Sequence, residues 1–500
     1  MDGILTWLSD NLYWIVLVLL PIVIPLALFQ VLPVLVLMER RGAAFIQDRI
    51  GPHRAGVNIN AGALKQLLKL RMTKLGPIPN LDAAGLLAER PTEGVRMRMF
   101  GMLYNAADLV KILFKEHFVA PFADRFFYKI APAIPIAIAL VTTGLVPWFA
   151  PFTYQTSSGG FLTVVGQAID AHSGLLALFA LSSLGVYGVV LGSWASNSKY
   201  ALLGGMRSSA MMISYEVSMG LSILGLLLLY GTFSLTDAVE WQTQHAWGVV
   251  VQPIAFVLFL VAMFAEANRN PFDVAEGESE IVAGFHTEFN GIRFMLYMTA
   301  EYFHVLMASV LIAILFFGGW DLLPVGLPLH GFDQPWVTLD SFWLRDNLGL
   351  VISVSLVPLA LLLAGFAAIL LRRRTHYARG PATDKAIRCR EYAVYAGALT
   401  AAAIGALAGA AVAWTWDPAP VAMAGNTPVF SNLVNIVTAI VQVHVVLVKA
   451  LAFCWLFVWV RWTLPRFRYD QIMALGWKVL LNIALVNLLV TAVIAKLVRG

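Results

Sequence analysis

The sequence predicts an all-α polytopic integral membrane protein of about ten transmembrane helices, with amphipathic helices on its cytoplasmic face, and three observations carry that prediction. Of 500 residues, 59% are hydrophobic and only 13% are charged, whereas soluble domains carry roughly 25% charged residues. Nearly uncharged runs, each long enough to cross roughly 30 Å of hydrocarbon, recur near 11–38, 130–150, 173–195, 217–236, 246–265, 294–319, 347–371, 392–416, 436–460 and 472–495. No strand-rich domain and no internal repeat of fixed period interrupts them, so the inverted-repeat plan of many secondary transporters has no support.

The first run has no basic segment ahead of it and no small-residue cleavage site, so it reads as a retained helix, kinked at Pro21, Pro25 or Pro33. It ends in Met38-Glu39-Arg40-Arg41 and continues through Phe45 to Arg49-Ile50-Gly51-Pro52. The Glu-Arg pair alone is equally compatible with a helix stop bearing snorkelling cations. The Gly-Pro turn holds Arg49 where a guanidinium meets a carboxylate or a polar head group. Residues 107–116 set Asp108, Lys111 and Lys115 on one helical face and Leu109, Ile112 and Leu113 on another, which is an amphipathic surface helix.

Glu216 begins the fourth span with no further charge until Asp237, and Glu301 lies near the start of the sixth. A carboxylate within a membrane costs several kcal/mol unless paired, protonated or hydrated, so both are read as stations of a proton path. Between the fifth and sixth spans the chain packs seven carboxylates, Glu266, Asp273, Glu276, Glu278, Glu280, Glu288 and Glu301, although the protein as a whole is net basic. Crowded beside a low-dielectric slab, they repel one another and gain proton affinity. Turn chemistry at Asn268-Arg269-Asn270-Pro271-Phe272 separates this stretch from a merely solvated acidic loop. Lys449 and Lys478, in the last two spans, are candidate counter-charges, with snorkelling the simpler account of Lys478.

Lys and Arg mark cytoplasmic loops. Twenty-nine of the 34 fall on alternate connections of the ten-helix plan, and the opposite loops contain only Arg345. Ten spans then place both termini outside and the acidic loop in the cytoplasm. Cys389 and Cys454, the only cysteines, are too few for an iron–sulfur or structural zinc site built from this chain. With no G-x-G-x-x-G after a strand there is no nucleotide or flavin site to expect, so any electrons come from a partner.

Jointly, the runs E-R-R-G-A-A-F-I-Q-D-R-I-G-P at 39–52, K-I-L-F-K-E at 111–116, I-S-Y-E-V at 213–217, A-E-A-N-R-N-P-F-D-V-A-E-G-E-S-E at 265–280, G-F-H-T-E-F with A-E-Y at 284–302, and T-L-P-R-F-R-Y-D-Q at 463–471 resemble one family. It is the membrane component of respiratory complex I known as the H subunit of NADH:quinone oxidoreductase. The resemblance implies a proton-pumping enzyme in a bacterial inner membrane. It implies a chamber for ubiquinone or menaquinone formed with soluble iron–sulfur subunits and neighbouring membrane subunits, with FMN and iron–sulfur clusters on those partners only, and no nucleic acid. Carried onto this chain, Glu39, Arg40, Phe45, Arg49, Arg269 and Arg293 would bind quinone. Asp273, Glu276, Glu278 and Glu280 would stand beside the chamber, and Glu216, Glu266 and Glu301 would carry charge inward.

Two departures from the family are visible within what reads as a single membrane domain over 1–500. A basic insertion occupies 57–99, with Tyr104 and Asn105 in place of the customary Gln-Pro after it. A second block, 321–435, adds two spans to the usual eight; it is expected to pack peripherally against lipid or a partner, because its spans contain no buried charge. Two other readings stand beside the quinone-linked one: the membrane anchor of an energy-converting hydrogenase, which shares the helical core and lacks a quinone step, and a stand-alone proton or cation transporter that uses the same intramembrane carboxylates.

Overall fold

The structure is a computed structural model that describes residues 2–49, 51–52, 57–59, 95–97, 101–116, 118–155, 160–275, 277, 283–322, 341–377, 382–416, 418, 420, 422–424 and 427–499. The chain divides into two compact units. One comprises Met1–Gln47, Val110–Arg345 and Pro420–Gly500, the other Asp48–Leu109 and Asp346–Ala419. These bounds are not those of the blocks set out from the sequence.

In the first unit, α1 (Asp2–Ile46) runs as one helix through Pro21, Pro25 and Pro33. The amphipathic stretch forms α2 (Leu103–Leu113), with no buried residue, and straddles the boundary between the units. Asp124 caps α3 (Arg125–Ile130) by accepting from the backbone N–H groups of Phe126 and Phe127. Then follow α4 (Ala133–Leu145), α5 (Gly174–Ala195), α6 (Lys199–Tyr230) and α7 (Leu235–Gln244). The fifth expected span is broken into a one-turn α8 (Gly248–Val251) and a 14-residue α9 (Pro253–Glu266), parted at Gln252. Pro253 has no N–H to continue a helix but suits a first position, so the chain restarts there.

At the centre stands α10 (Gly291–Phe316), where every residue from Val305 to Phe316 is buried. A helix apolar all round belongs inside a bundle. Buried phenols tie its neighbours where no water competes: Tyr297 donates to the Gly188 carbonyl at 2.9 Å, Tyr230 to Leu315 at 2.8 Å, and Tyr215 to Ile472 at 2.9 Å. Glycine permits the closest of these approaches, since a Cβ on Gly192 would collide with the Tyr297 hydroxyl. After α11 (Ser341–Asp346) and the helices of the second unit, the first unit closes with α14 (Asn432–Thr463) and a final run. That run is α15 (Tyr469–Ala474), a π-helical turn (Leu475–Leu480) and α16 (Leu481–Arg499).

The second unit contains α12 (Leu348–Tyr377) and α13 (Ala382–Trp414) as an antiparallel pair. Ser353 donates across to the Ala410 carbonyl at 2.9 Å, and Ala367, Leu370, Tyr395 and Ala396 form a core between the two helices. Small residues let the backbones approach. Only short two-stranded hairpins accompany the helices among the described residues, as with Phe152–Gln155 against Phe161–Val164. Nine described helices are long and apolar enough to cross a membrane, and α9 is the shorter tenth. This is an all-α multi-pass membrane protein.

The spans 347–371 and 392–416 contain no charged residue, and buried charge flanks them: Arg345 is 3% exposed and Glu391 is 5% exposed. Both have partners, Arg345 donating to the Pro151 carbonyl at 3.0 Å and Glu391 accepting from Tyr395 at 3.0 Å. Lys449 is no counter-charge to the intramembrane carboxylates. Its ammonium donates to the carbonyls of Phe317 (2.7 Å), Gly319 (2.9 Å) and Asp321 (2.5 Å) just past α10, where the helix dipole favours a cation. Lys478 is exposed, as snorkelling requires.

Candidate functional site

Two turns before the end of α1, Glu39 is enclosed by groups from three other segments. Arg461, in the last turn of α14, meets one carboxylate oxygen at 2.5 Å; Tyr302 of α10 donates to the other at 2.7 Å, and Arg269 lies 3.7 Å from it. Arg269 also reaches Glu301 at 4.0 Å and stacks its guanidinium over the Tyr302 ring at 4.3 Å. Its position follows from the way α9 ends. Asn268 takes a left-handed conformation, with φ 47°, that Asn tolerates better than most residues. Ser208 donates to its side-chain oxygen at 3.0 Å, and Arg269 N–H returns to the Phe264 carbonyl. The guanidinium is thereby held between two carboxylates, and the four charged groups sum to zero.

Three cavities, each with room for about one or a few water molecules, lie around these groups. The first is lined by Glu39, Arg269, Tyr302 and Arg461 with Leu35 and Phe457. The second is lined by Glu301, Tyr297, His304, Asn268 and Glu266. The third shares Glu266, Ala267 and His304 with the second and adds Ser182 and Thr142 among apolar side chains. Ser182 donates to Glu266 at 3.0 Å, and the next residue of α5, Ser183, donates to Glu216 of α6. Carboxylates on α6 and α9 thus meet adjacent hydroxyls of one helix. Arg269 thus joins Glu39 to Glu301, Glu301 and Glu266 line one cavity, and adjacent serine hydroxyls hold Glu266 and Glu216.

The other expected residues are dispersed. Asp273 is buried and paired with Arg466 at 3.0 Å. It faces His286, whose imidazole is pushed down to about 4 by burial, with Asp273 opposing that shift. Arg293 lies apart from the Glu39 cluster, over the Tyr128 ring at 5.1 Å, and that ring stacks on Phe289. Arg40 is half-buried, and Phe45 is 78% exposed on the last turn of α1. Arg49 is exposed and falls in the second unit. Glu276, Glu278 and Glu280 lie outside the described residues.

Sequence reasoning did not single out Arg461, Tyr302, His304 or the serine pair. Arg461 counted there only as one more basic residue after a span. Ser182-Ser183 are adjacent hydroxyls in an otherwise apolar run, a signal available but unused.

A sequence profile of the family described as NADH dehydrogenase matches residues 88–378 and 392–492. The chain is 30% identical to the H subunit of NADH-quinone oxidoreductase from Flavobacterium psychrophilum over 460 residues, covering 91% of this chain and 90% of that one. It is 31% identical to the H subunit from Bdellovibrio bacteriovorus over 494 residues, covering 94% of each. It is 34% identical to an H subunit from Geobacter metallireducens over 463 residues, covering 93% and 91%.

Proposed function

Since the chain belongs to the NADH dehydrogenase family, as an H-type membrane subunit of the NADH-quinone oxidoreductase complex, we propose that it forms the membrane wall of the quinone chamber and couples quinone reduction to proton translocation. The observation that carries this reading is the series of groups from Glu39 through Arg269 to Glu301, across a common cavity to Glu266, and by adjacent serines to Glu216. Reducing a quinone takes up two electrons and two protons, and the chain contributes no redox centre to that step. Electrons arrive from FMN and iron–sulfur clusters on soluble partner subunits docked on the cytoplasmic face. The substrate is ubiquinone or menaquinone.

Glu39 and Arg269 stand where charge developing at the chamber is first felt, with Arg40, Phe45, Arg49 and Arg293 as further quinone-binding side chains. Asp273, with Glu276, Glu278 and Glu280, supplies carboxylates beside the chamber. Glu301, Glu266 and Glu216 then pass the charge toward neighbouring membrane subunits. In this reading a change of charge at the Glu39 end alters the proton affinity of the next carboxylate, because charges held in a low-dielectric setting couple strongly. Its setting in this reading is a bacterial inner membrane with both termini on the periplasmic side; the distribution of Lys and Arg supports that orientation.

The test is to affinity-tag the chain, solubilise its native membranes gently and assay electron transfer from NADH to a short-chain quinone. The expected result is inhibitor-sensitive activity with flavin and iron–sulfur subunits co-purifying, lowered in Glu266→Gln and Glu278→Gln while assembly persists. Recovery with a hydrogenase, or alone with ion-transport activity, would replace this reading. Wild-type turnover in both variants would remove those residues from the mechanism.

A further inference from the structure

We infer that His304 is a proton relay joining the second and third cavities, so that protons pass between Glu301 and Glu266 through its imidazole. The inference rests on the proposed proton line and adds to it a residue that is not a carboxylate.

His304 lies three residues after Glu301 on α10, so both side chains share one helical face. It lines both cavities, as Glu266 does, and with Ala267 these residues form the wall the two spaces share. Opposite, α5 offers Gly185, where a Cβ would come to 3.8 Å from the ring's Cε1 and 4.0 Å from Nε2. Such a methyl group would meet the imidazole at ordinary van der Waals distance, so the ring packs close against that helix. A histidine kept for structure alone normally anchors one ring nitrogen to a carbonyl or carboxylate. Neither nitrogen of His304 has a hydrogen-bond partner among the described residues, and the residue lines both cavities. The titratable groups that line these cavities with it are Glu266 of α9 and Glu301 and Tyr297 of its own helix.

Imidazole suits this position because it has two ring nitrogens and, when neutral, one donates while the other accepts. One nitrogen takes a proton from the Glu301 side, directly or through cavity water. The other then gives its proton to the Glu266 side. One proton enters, one leaves and no electron moves; the ring is left as the opposite tautomer and resets by turning over. A carboxylate line without this ring would rely on an unbroken water chain past the shared wall.

The experiment uses the assembled complex in inverted membrane vesicles, with His304→Gln, His304→Leu and, as a reference, Glu266→Gln. Readouts are NADH:quinone turnover, the proton gradient formed per NADH oxidised, and the pH profile of turnover. Both His304 variants are expected to lower proton-coupled turnover roughly tenfold or more and to lose the limb of the pH profile that the imidazole contributes, with the soluble subunits still co-purifying. Normal pumping in both His304 variants, beside an impaired Glu266→Gln, would sink the relay and leave the carboxylate line standing. Normal behaviour in all three would sink the proton line and the relay together. If His304→Gln is normal and only His304→Leu is impaired, or if both fail to assemble, the ring serves polarity or packing and the relay is overturned.

Discussion

Glu39 has two cations and a phenol around a single carboxylate, and that arrangement determines how each replacement behaves. Arg461 makes the shorter contact, at 2.5 Å, while Arg269 at 3.7 Å is shared with Glu301. Removing one partner from a buried pair leaves an uncompensated charge, at a cost of about 3–5 kcal/mol. Arg461→Met is therefore expected to lower the thermal midpoint of the assembled complex markedly, whereas Glu39→Gln with Arg461→Met together should recover part of the loss. A double-mutant cycle by thermal denaturation checks this, and additive losses would refute the pairing. Outside the membrane, His286 carries a pH dependence of definite sign. Its folded pKa of about 4 lies below its ordinary value of 6.5, so the unfolded chain binds more protons between those limits. The stability His286 contributes is complete above about pH 6.5 and is lost as pH falls toward 4. Hydrogen-exchange protection in residues 283–290, taken relative to the intrinsic exchange rate at each pH, should fall over that window, and His286→Gln should flatten the response. At this scale the sequence made Glu216, Glu266 and Glu301 legible, because an isolated charge in an apolar run is costly on its face. It left Arg461 indistinguishable from other basic residues at span ends, because its value lies in a partner on a distant helix.

Among the elements, the hydropathy runs located the spans and missed what happens inside one of them. The run 246–265 is uncharged throughout, yet Gln252 and Pro253 divide it, since average hydropathy does not register a missing N–H. The division ends the helical stretch with Glu266 at the cavities, and Gln252 is satisfied by Thr491 (2.7 Å) and Asn487 (3.1 Å) of α16. Close approach of α5 to α10 was likewise invisible, because a glycine in an apolar run gives no hint of which neighbour it admits. Gly192 and Gly220 supply a matched comparison. A methyl group at Gly192 would collide with the Tyr297 hydroxyl, and one at Gly220 would meet nothing within 4 Å. Gly192→Ala should cost about 1–3 kcal/mol by overpacking and break the bond from Tyr297 to Gly188, while Gly220→Ala should be silent or slightly stabilising in its helix. The yield and melting temperature of the assembled complex distinguish them; equal behaviour would mean that α5 and α10 are not held by this contact.

For the whole molecule, the question is what can be removed without touching the site. The sequence suggested 321–435 as a peripheral block, on the ground that its spans lack buried charge; the spans do lack it, but the block's two ends belong to the first unit. Asp321 belongs to the network around Lys449 and accepts from Thr243, Arg345 holds the Pro151 carbonyl, and Val429 and Phe430 are buried in the first unit. A deletion of 321–435 would thus take four supports from the unit that contains Glu39, Glu266 and Glu301. Residues 348–416 are different: they lie wholly in the second unit and are held to one another by Ser353, by the Ala367–Tyr395 core, and by Gly349, whose backbone passes so near Trp416 that a Cβ would collide with its carbonyl oxygen. Buried Glu391 finds Tyr395 inside the same pair. Replacing 348–416 by a short Gly/Ser linker is therefore expected to leave assembly and NADH:quinone turnover near wild type, and deleting 321–435 to abolish assembly. Co-purification of the soluble subunits and turnover in the recovered complex decide between them. If the shorter excision assembles but does not turn over, the helix pair takes part in coupling, and the first unit's carboxylate line is not the whole of the path.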